Sequence, residues 1–150
     1  MLVLLFVALL VAGCGEKGEK SLSDSKIEKA LGEAVELDSL RERNDLYYQP
    51  NKSKPYSEWV KETYDDSEQA EELFEVQNGK REGRHIEWDE DGHKRSEENY
   101  KNGKQDGLVK FWHENGQKKG EGTYKDGEEV SVKWWNSKGE EVETPEEAEK

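Results

Sequence analysis

The chain repeats itself at a fixed interval. Gly79-Lys-Arg-Glu-Gly83 is followed by Trp88, Asp91-Gly92, Glu97 and Tyr100-Lys101-Asn102. Gly103-Lys-Gln-Asp-Gly107 is followed by Trp112, Asn115-Gly116, Glu121 and Tyr124-Lys125-Asp126. Gly79 and Gly103, Trp88 and Trp112, Gly92 and Gly116, and Tyr100 and Tyr124 are all 24 residues apart. A period of that size means stacked copies of one small unit, and it constrains the fold more tightly than any single motif. Two worn copies flank the full ones. Downstream, Tyr124, Gly127, Trp135 and Gly139 persist, but the second glycine is missing and one residue is deleted before Trp135. Upstream, Tyr64 precedes Trp88 by 24 and Val76 precedes Tyr100 by 24, although Asp65-Asp66-Ser67-Glu68 has lost its turn glycine. Local propensity over Ser67–Phe74 favours a helix and the phase of the repeat favours a hairpin. Neighbouring strands impose pairing that weak local preference does not resist, so a hairpin is expected.

Each unit carries two turn signals. Asp91-Gly92 and Asn115-Gly116 lie mid-unit; Asn78-Gly79, Asn102-Gly103 and Asp126-Gly127 lie at the ends. Such pairs suit two-residue type I′ hairpin turns, which need positive φ at both central positions. The segments between them, such as Leu108-Val-Lys-Phe-Trp112, are short and rich in aromatic and β-branched residues, as strands are. The expected fold is therefore mainly β: an antiparallel meander of tandem 24-residue hairpins. Centring a turn on Asn115-Gly116 pairs His113 with Lys118, Trp112 with Lys119 and Lys110 with Glu121. The same count pairs Trp88 with Arg95, His93 with Glu90 and His85 with Glu98. Trp beside a cation at one repeat position suggests a cation–π contact or an apolar stem over a ring. Alternation puts Ile86, Trp88, Leu108 and Trp112 on one face, and Val109, Phe111 and Tyr124 on the other.

Spacing and residue types resemble the bacterial variant of the MORN repeat, roughly Tyr-x-x-Gly-x-x-x-Gly-x-x-x-x-Trp-x-x-x-Gly. Tyr100, Gly103, Gly107, Trp112 and Gly116 carry the pattern, as do Gly79, Gly83, Trp88 and Gly92 one unit earlier. Leu37-Asp-Ser-Leu40, Arg43-Asn44, Leu46-Tyr-Tyr48 and Pro55-Tyr-Ser-Glu-Trp59 resemble the segment that precedes these repeats in MORN-type lipoproteins and in the YwqK-type antitoxin-component family. There, Gly occupies the positions of Asp45 and Glu58, so the resemblance leaves tight turns at those two points unsupported. Tyr47, Tyr48, Tyr56 and Trp59 are expected to cap the first hairpin, because a repeat array needs an end that hides its open edge.

Only 31% of the 150 residues are hydrophobic, 39% are charged, and the net charge is −13. That composition suits a single-layered or barely double-layered sheet held by its five Trp and six Tyr. The acidity argues against nucleic acid, whose phosphates require a basic surface, and against docking on anionic lipid.

The chain divides into five segments. Residues 1–13 are almost wholly apolar, shorter than the roughly 20 residues that span a bilayer and of the length of a signal-peptide core. They end in Val11-Ala12-Gly13-Cys14, which resembles the bacterial lipobox. That resemblance implies cleavage between Gly13 and Cys14, a diacylglyceryl group on Cys14 with further acylation such as palmitate, and lipid anchoring in the bacterial cell envelope. Gly15 after the cysteine points to the outer membrane in a Gram-negative cell. Residues 14–25 read as the lipidated cysteine and a flexible tether. Residues 26–62 form a lead-in and N-terminal cap, where Ser25 and Glu28 match a capping box and Ile27, Ala30, Leu31 and Ala34 predict a short helix from about Lys26 to Glu36 that packs on the end of the sheet. Residues 63–139 form the repeat domain, and 140–150 an acidic tail frayed after Val142.

Nothing in the sequence points to catalysis, to a cofactor or to a metal. His85, His93 and His113 are not at metal-ligand spacing, Cys14 is committed to lipid, and surface His beside Glu is ordinarily a solvated cross-strand pair. Two functional readings stay open. One is a non-catalytic interaction or scaffold lipoprotein with Trp88, Trp112, Trp134 and Trp135 as candidate anchors, since Trp is over-represented at binding hot spots; the alternative role for these rings is packing within the sheet. The other, implied by the family name, is an immunity or antitoxin protein whose acidic surface steers and blocks a basic toxin. Cys14→Ser is expected to abolish labelling with a palmitate analogue and to release the protein from the membrane fraction. Retention in the pellet without label would indicate an uncleaved apolar anchor instead.

Overall fold

The structure is a computed structural model that describes residues 24–65 and 67–150. Gly13, Cys14 and the leader lie outside the described residues. In order, the chain forms α1 (Asp24–Glu33), β1 (Val35–Glu36), a 3-10 turn (Leu37–Ser39), β2 (Arg41–Arg43), β3 (Leu46–Tyr48), β4 (Glu58–Thr63), β5 (Ala70–Gln77), β6 (Lys80–Trp88) and β7 (Lys94–Lys101). Then come β8 (Lys104–Gln105), β9 (Gly107–Trp112), β10 (Lys118–Lys125), β11 (Glu128–Trp135), β12 (Glu141–Val142) and α2 (Pro145–Ala148). From β4 onward each long strand pairs antiparallel with the next, and β1 joins the edge by pairing parallel to β4. The meander of sequential hairpins is thus the observed fold, with a short N-terminal helix. The worn copy around residues 63–76 forms the hairpin β4–β5.

The two turn classes differ. Asn78-Gly79, Asn102-Gly103 and Asp126-Gly127 have positive φ at both positions, as type I′ turns require. Mid-unit, only Gly92 and Gly116 are left-handed; Gly116 N–H donates to His113 O and His113 N–H to Gln117 O. That is a three-residue loop closed by a type I turn and a left-handed glycine, one residue longer than the expected turn. The closing pair is therefore His113 with Gln117, and Trp112 pairs with Lys118 rather than Lys119. A bulge at Lys119 then restores the register, so Lys110 faces Glu121 as expected. One unit earlier Trp88 pairs with Lys94 rather than Arg95, Asp89 closes the loop on His93 in place of Glu90, and His85 faces Glu98 as expected.

The second glycine of each full unit marks a second bulge. Between Phe74↔His85 and Val76↔Arg81, β6 has three residues against one on β5, with Gly83 at φ 85°. Between Glu97↔Lys110 and Tyr100↔Gln105 the count is four against two, around Gly107. In the third unit it is one against none, at Val130. The deleted residue and missing glycine of that unit are absorbed in a smaller bulge. It lies on the last long strand, most of whose outer edge β12 leaves uncovered, and it leaves Val130 65% exposed. A bulge on an edge discourages pairing with another chain.

Packing is thickest at the N-terminal end. Leu73 and Phe74 are consecutive, so they face opposite ways. On the first face Ile27, Ala30, Leu31 and Ala34 of α1 meet Leu73, Ile86, Trp59 and Trp88. On the second, Leu40, Tyr56, Tyr47, Val60 and Val76 surround Phe74. The sheet here is covered on both sides, not singly layered. The helix starts before Ser25, so Ser25 lies in its first turn and is not its N-cap; it ends by Glu33, where Val35 turns into β1. Asn44 and Asp45 adopt the two positive φ values of a type I′ turn without glycine, because Asn and Asp tolerate that region better than other side chains. The tail is ordered: Val142 pairs with Trp134, Thr144 caps α2 and Ala148 is fully buried.

Gly79 and Gly103 share φ of 83° and 84°, but a Cβ on Gly79 would lie 2.9 Å from Leu46 Cβ, whereas Gly103 has open space. Gly103→Ala is expected to cost about 1–2 kcal/mol, the left-handed penalty alone. Gly79→Ala should cost about 1–3 kcal/mol more through overpacking. Equal losses in chemical denaturation would contradict the docking of the lead-in hairpin on this turn.

Candidate functional site

Two arrangements stand out, one on each face. On the first face, Lys94 pairs with Trp88 and its ammonium lies 5.5 Å from the Trp112 ring centroid; Lys118 pairs with Trp112 and lies 5.4 Å from that of Trp135. Trp88, Lys94, Trp112, Lys118 and Trp135 therefore form one continuous row, with each lysine bridging to the tryptophan of the next unit. Lys94 is also held by Glu97 at 3.2 Å and Lys118 by Glu121 at 2.6 Å. All three rings are half-buried. A cation stands beside each Trp, but it is Lys94 or Lys118 in place of the expected Arg95 or Lys119, and it lies over the ring of the following unit. Trp134 is not part of this surface: it pairs with Gly120 and stacks on Phe111 at 5.5 Å on the opposite face. Register puts Lys110, Glu121 and Lys133 in one row on the first face, and Leu108, Thr123 and Ser131 in the next; Thr123, Ser131 and Lys133 are exposed.

The second face carries a polar network centred on His85, which is 3% exposed. It is buried, not the solvated surface histidine that the sequence suggests. Pairings Phe74↔His85, His85↔Glu98, Glu72↔Glu87 and Glu87↔Ser96 bring the members together. His85 Nε2 lies 2.7 Å from Glu72 Oε2 and 3.7 Å from Glu87 Oε1, and its Nδ1 lies 4.0 Å from Glu98 Oε2. Arg81 lies over the Phe74 ring at 4.0 Å and donates to Glu72 at 3.2 Å. Its Nη1 is 3.5 Å from His85 Nδ1; a guanidinium can only donate, so Nδ1 accepts and Nε2–H donates to Glu72. Tyr100 and Gln105 donate to Glu98 at 3.1 and 2.8 Å, and Ser96 to Glu87 at 2.8 Å. Among the described residues no buried side-chain polar atom lacks a partner.

Charge regulation follows from these contacts. Burial alone would raise the Glu72 carboxyl, but the His85 hydrogen bond and Arg81 outweigh it and hold it below its ordinary value. Burial, then Glu98, pushes the Tyr100 phenol up to about 12. Burial, then Glu72 and Glu71, raises Glu62. The other histidines stand apart: His93 is exposed beside Asp89, and His113 Nε2 is 2.9 Å from Trp135 O. The sequence did hold a signal for His85. Val109 follows it by 24 residues and is fully buried, so the repeat marks position 85 as interior.

The fold and its two faces define a repeat-built β-sheet. Residues 81–102 and 105–126 match the family model described as MORN repeat variant, so the two full units are MORN repeats of that variant. Repeats of this kind are typically protein-interaction or scaffold modules. No curated protein and no solved structure matches the chain.

A lowered Glu72 pKa means stability that is present above the unfolded-state glutamate pKa and lost as pH falls through the folded value. Glu72→Gln is expected to cost about 1.5–3 kcal/mol at pH 7, as loss of hydrogen bonds to charged partners does. It should also flatten the acid limb of a stability-versus-pH curve below pH 4.5, the ordinary glutamate value. An unchanged acid limb would show that Glu72 does not couple folding to protonation.

Proposed function

We propose that this chain is a non-catalytic interaction module of the bacterial envelope, tethered through lipid on Cys14 and presenting its MORN-repeat sheet to a protein partner. The observation that carries this reading is the Trp88–Lys94–Trp112–Lys118–Trp135 row, half-exposed on a face where the packing of α1 reaches no further than Trp88. Aromatic rings interleaved with cations supply what interface anchors use: large apolar area at low conformational cost. Lys–Glu pairs around them make the rim polar and nearly neutral despite the overall charge. Such a surface selects a partner by shape and ring contact more than by net charge.

A second reading, an immunity or antitoxin protein that neutralises a basic toxin, is favoured by one other observation. Glu36, Asp38, Glu62, Asp65 and Glu68 line one shallow pocket beside the 3-10 turn. A dense acidic strip steers a basic partner at low ionic strength.

Affinity capture from envelope membranes with the full-length protein separates the two. The interaction reading expects discrete envelope partners, retained at high salt and lost in a folded Trp112→Ala/Trp135→Ala variant. Capture that is insensitive to both tryptophans would overturn it. A basic partner lost at high salt and in Glu62→Lys/Glu68→Lys would establish the toxin-binding reading instead.

A further inference from the structure

We propose that Glu72, His85 and Glu87 form a binding site for a divalent transition-metal ion such as Zn²⁺. One ligand atom from each residue lies within 4.8 Å of the others. Tetrahedral coordination at the usual ligand lengths sets neighbouring donor atoms about 3.4 Å apart. The observed 2.7 Å and 3.7 Å separations from His85 Nε2 straddle that value, and the two carboxylate oxygens lie within 4.8 Å of each other.

Three further features point the same way. First, the fold does not require polar residues here: Val109 occupies the repeat position of His85 and Phe74 that of Glu98, and both are fully buried and apolar. The first full unit has replaced core positions with a connected polar set. Second, Glu62, Glu72 and Glu87 lie directly opposite one another on three successive strands. Like charges in register destabilise a sheet, and a dication offsets that cost in addition to what Arg81 and His85 supply. Third, His85 Nδ1 faces Glu98, which Tyr100 and Gln105 hold in place. A carboxylate behind the imidazole is the usual outer partner of a metal-bound histidine. Binding would replace the Nε2 hydrogen with the ion and move that proton to Nδ1, which then ceases to accept from Arg81 and turns its N–H toward Glu98, 4.0 Å away. Glu87 is 44% exposed and borders a cleft shared with Glu62, Tyr64 and Trp88, which gives the ion a path. Water would complete the coordination.

The test is calorimetric titration of the full-length protein with ZnCl₂, alongside long-range ¹H–¹⁵N spectra of the histidine rings. The expected result is one ion per chain, with His85 Nε2 shifted and its tautomer reversed while His93 and His113 stay unmoved. Glu87→Gln, a half-exposed isosteric change that keeps its partner Ser96, should weaken binding at least tenfold with an unchanged circular dichroism spectrum. His85→Asn should abolish it. No binding, or binding that leaves the His85 ring and the Glu87→Gln affinity unchanged, would overturn the proposal and assign any bound zinc to the general acidic surface.

Discussion

The array depends on how the amide groups of its type I′ turns are satisfied. Gly79 N–H donates to Tyr56 O at 2.7 Å, Gly103 N–H to Arg81 O at 2.9 Å, and Gly127 N–H to Gln105 O at 2.8 Å. The residue before each glycine does the same to a side chain: Asn78 to Ser57, Asn102 to Glu82, Asp126 to Asp106. Each turn is thereby stitched to the start of the preceding unit. One such bond contributes only about 0.5–1.5 kcal/mol net. Repeated at every unit, the bonds fix the offset between hairpins and so the period itself. The lead-in takes part in the same scheme, since Tyr56 and Ser57 offer the first turn what Arg81 and Glu82 offer the second. It caps the array by imitating a unit. Stability in such a chain is a sum of unit and neighbour terms.

On this frame, a chain with little apolar content builds a wide sheet by concentrating its core. Leu73, Phe74, Val60, Val76 and Ile86 are essentially fully buried beneath α1 and the β2–β3 hairpin. Each such side chain contributes about 1.5–3 kcal/mol. Beyond Ile86 the same row continues as Glu97, Lys110, Glu121 and Lys133, each directly opposite the next. Alternating charges and lysine-on-tryptophan contacts replace burial where no second layer exists. They are weaker per pair but tolerate water, so that face stays open to solvent.

Much of this was legible from the period. It placed the strands, the Lys110–Glu121 and His85–Glu98 pairs and the split of Ile86 and Trp112 from Val109 and Phe111, because spacing encodes register wherever units stack. It placed the hairpin at residues 63–76 against local helical propensity. What escaped it was tertiary. The mid-unit turn differs by one residue because Asn-Gly serves both as a type I′ pair and as the end of a type I turn with a left-handed glycine. Trp134 and Trp135 look equivalent in sequence but alternate across the sheet. The acidic tail lacks an apolar pattern, yet one buried alanine, a capping threonine and a Glu149–Lys119 ion pair suffice to dock it. The buried environment of His85 comes from Phe74, Tyr100 and Arg81, which pairing across strands assembles and linear spacing does not show.

Amide hydrogen exchange at Gly79, Gly103 and Gly127 tests the stitching of the turns most directly. These N–H groups sit in hairpin turns, where exchange is ordinarily fast. If the turns are stitched, all three are protected to the same degree as the strand amides of their own unit, and Gly79 is the slowest because the lead-in hairpin packs on it. Exchange at the rate of unstructured turns at all three positions would show that the units are not tied to one another, and that these bonds do not set the period.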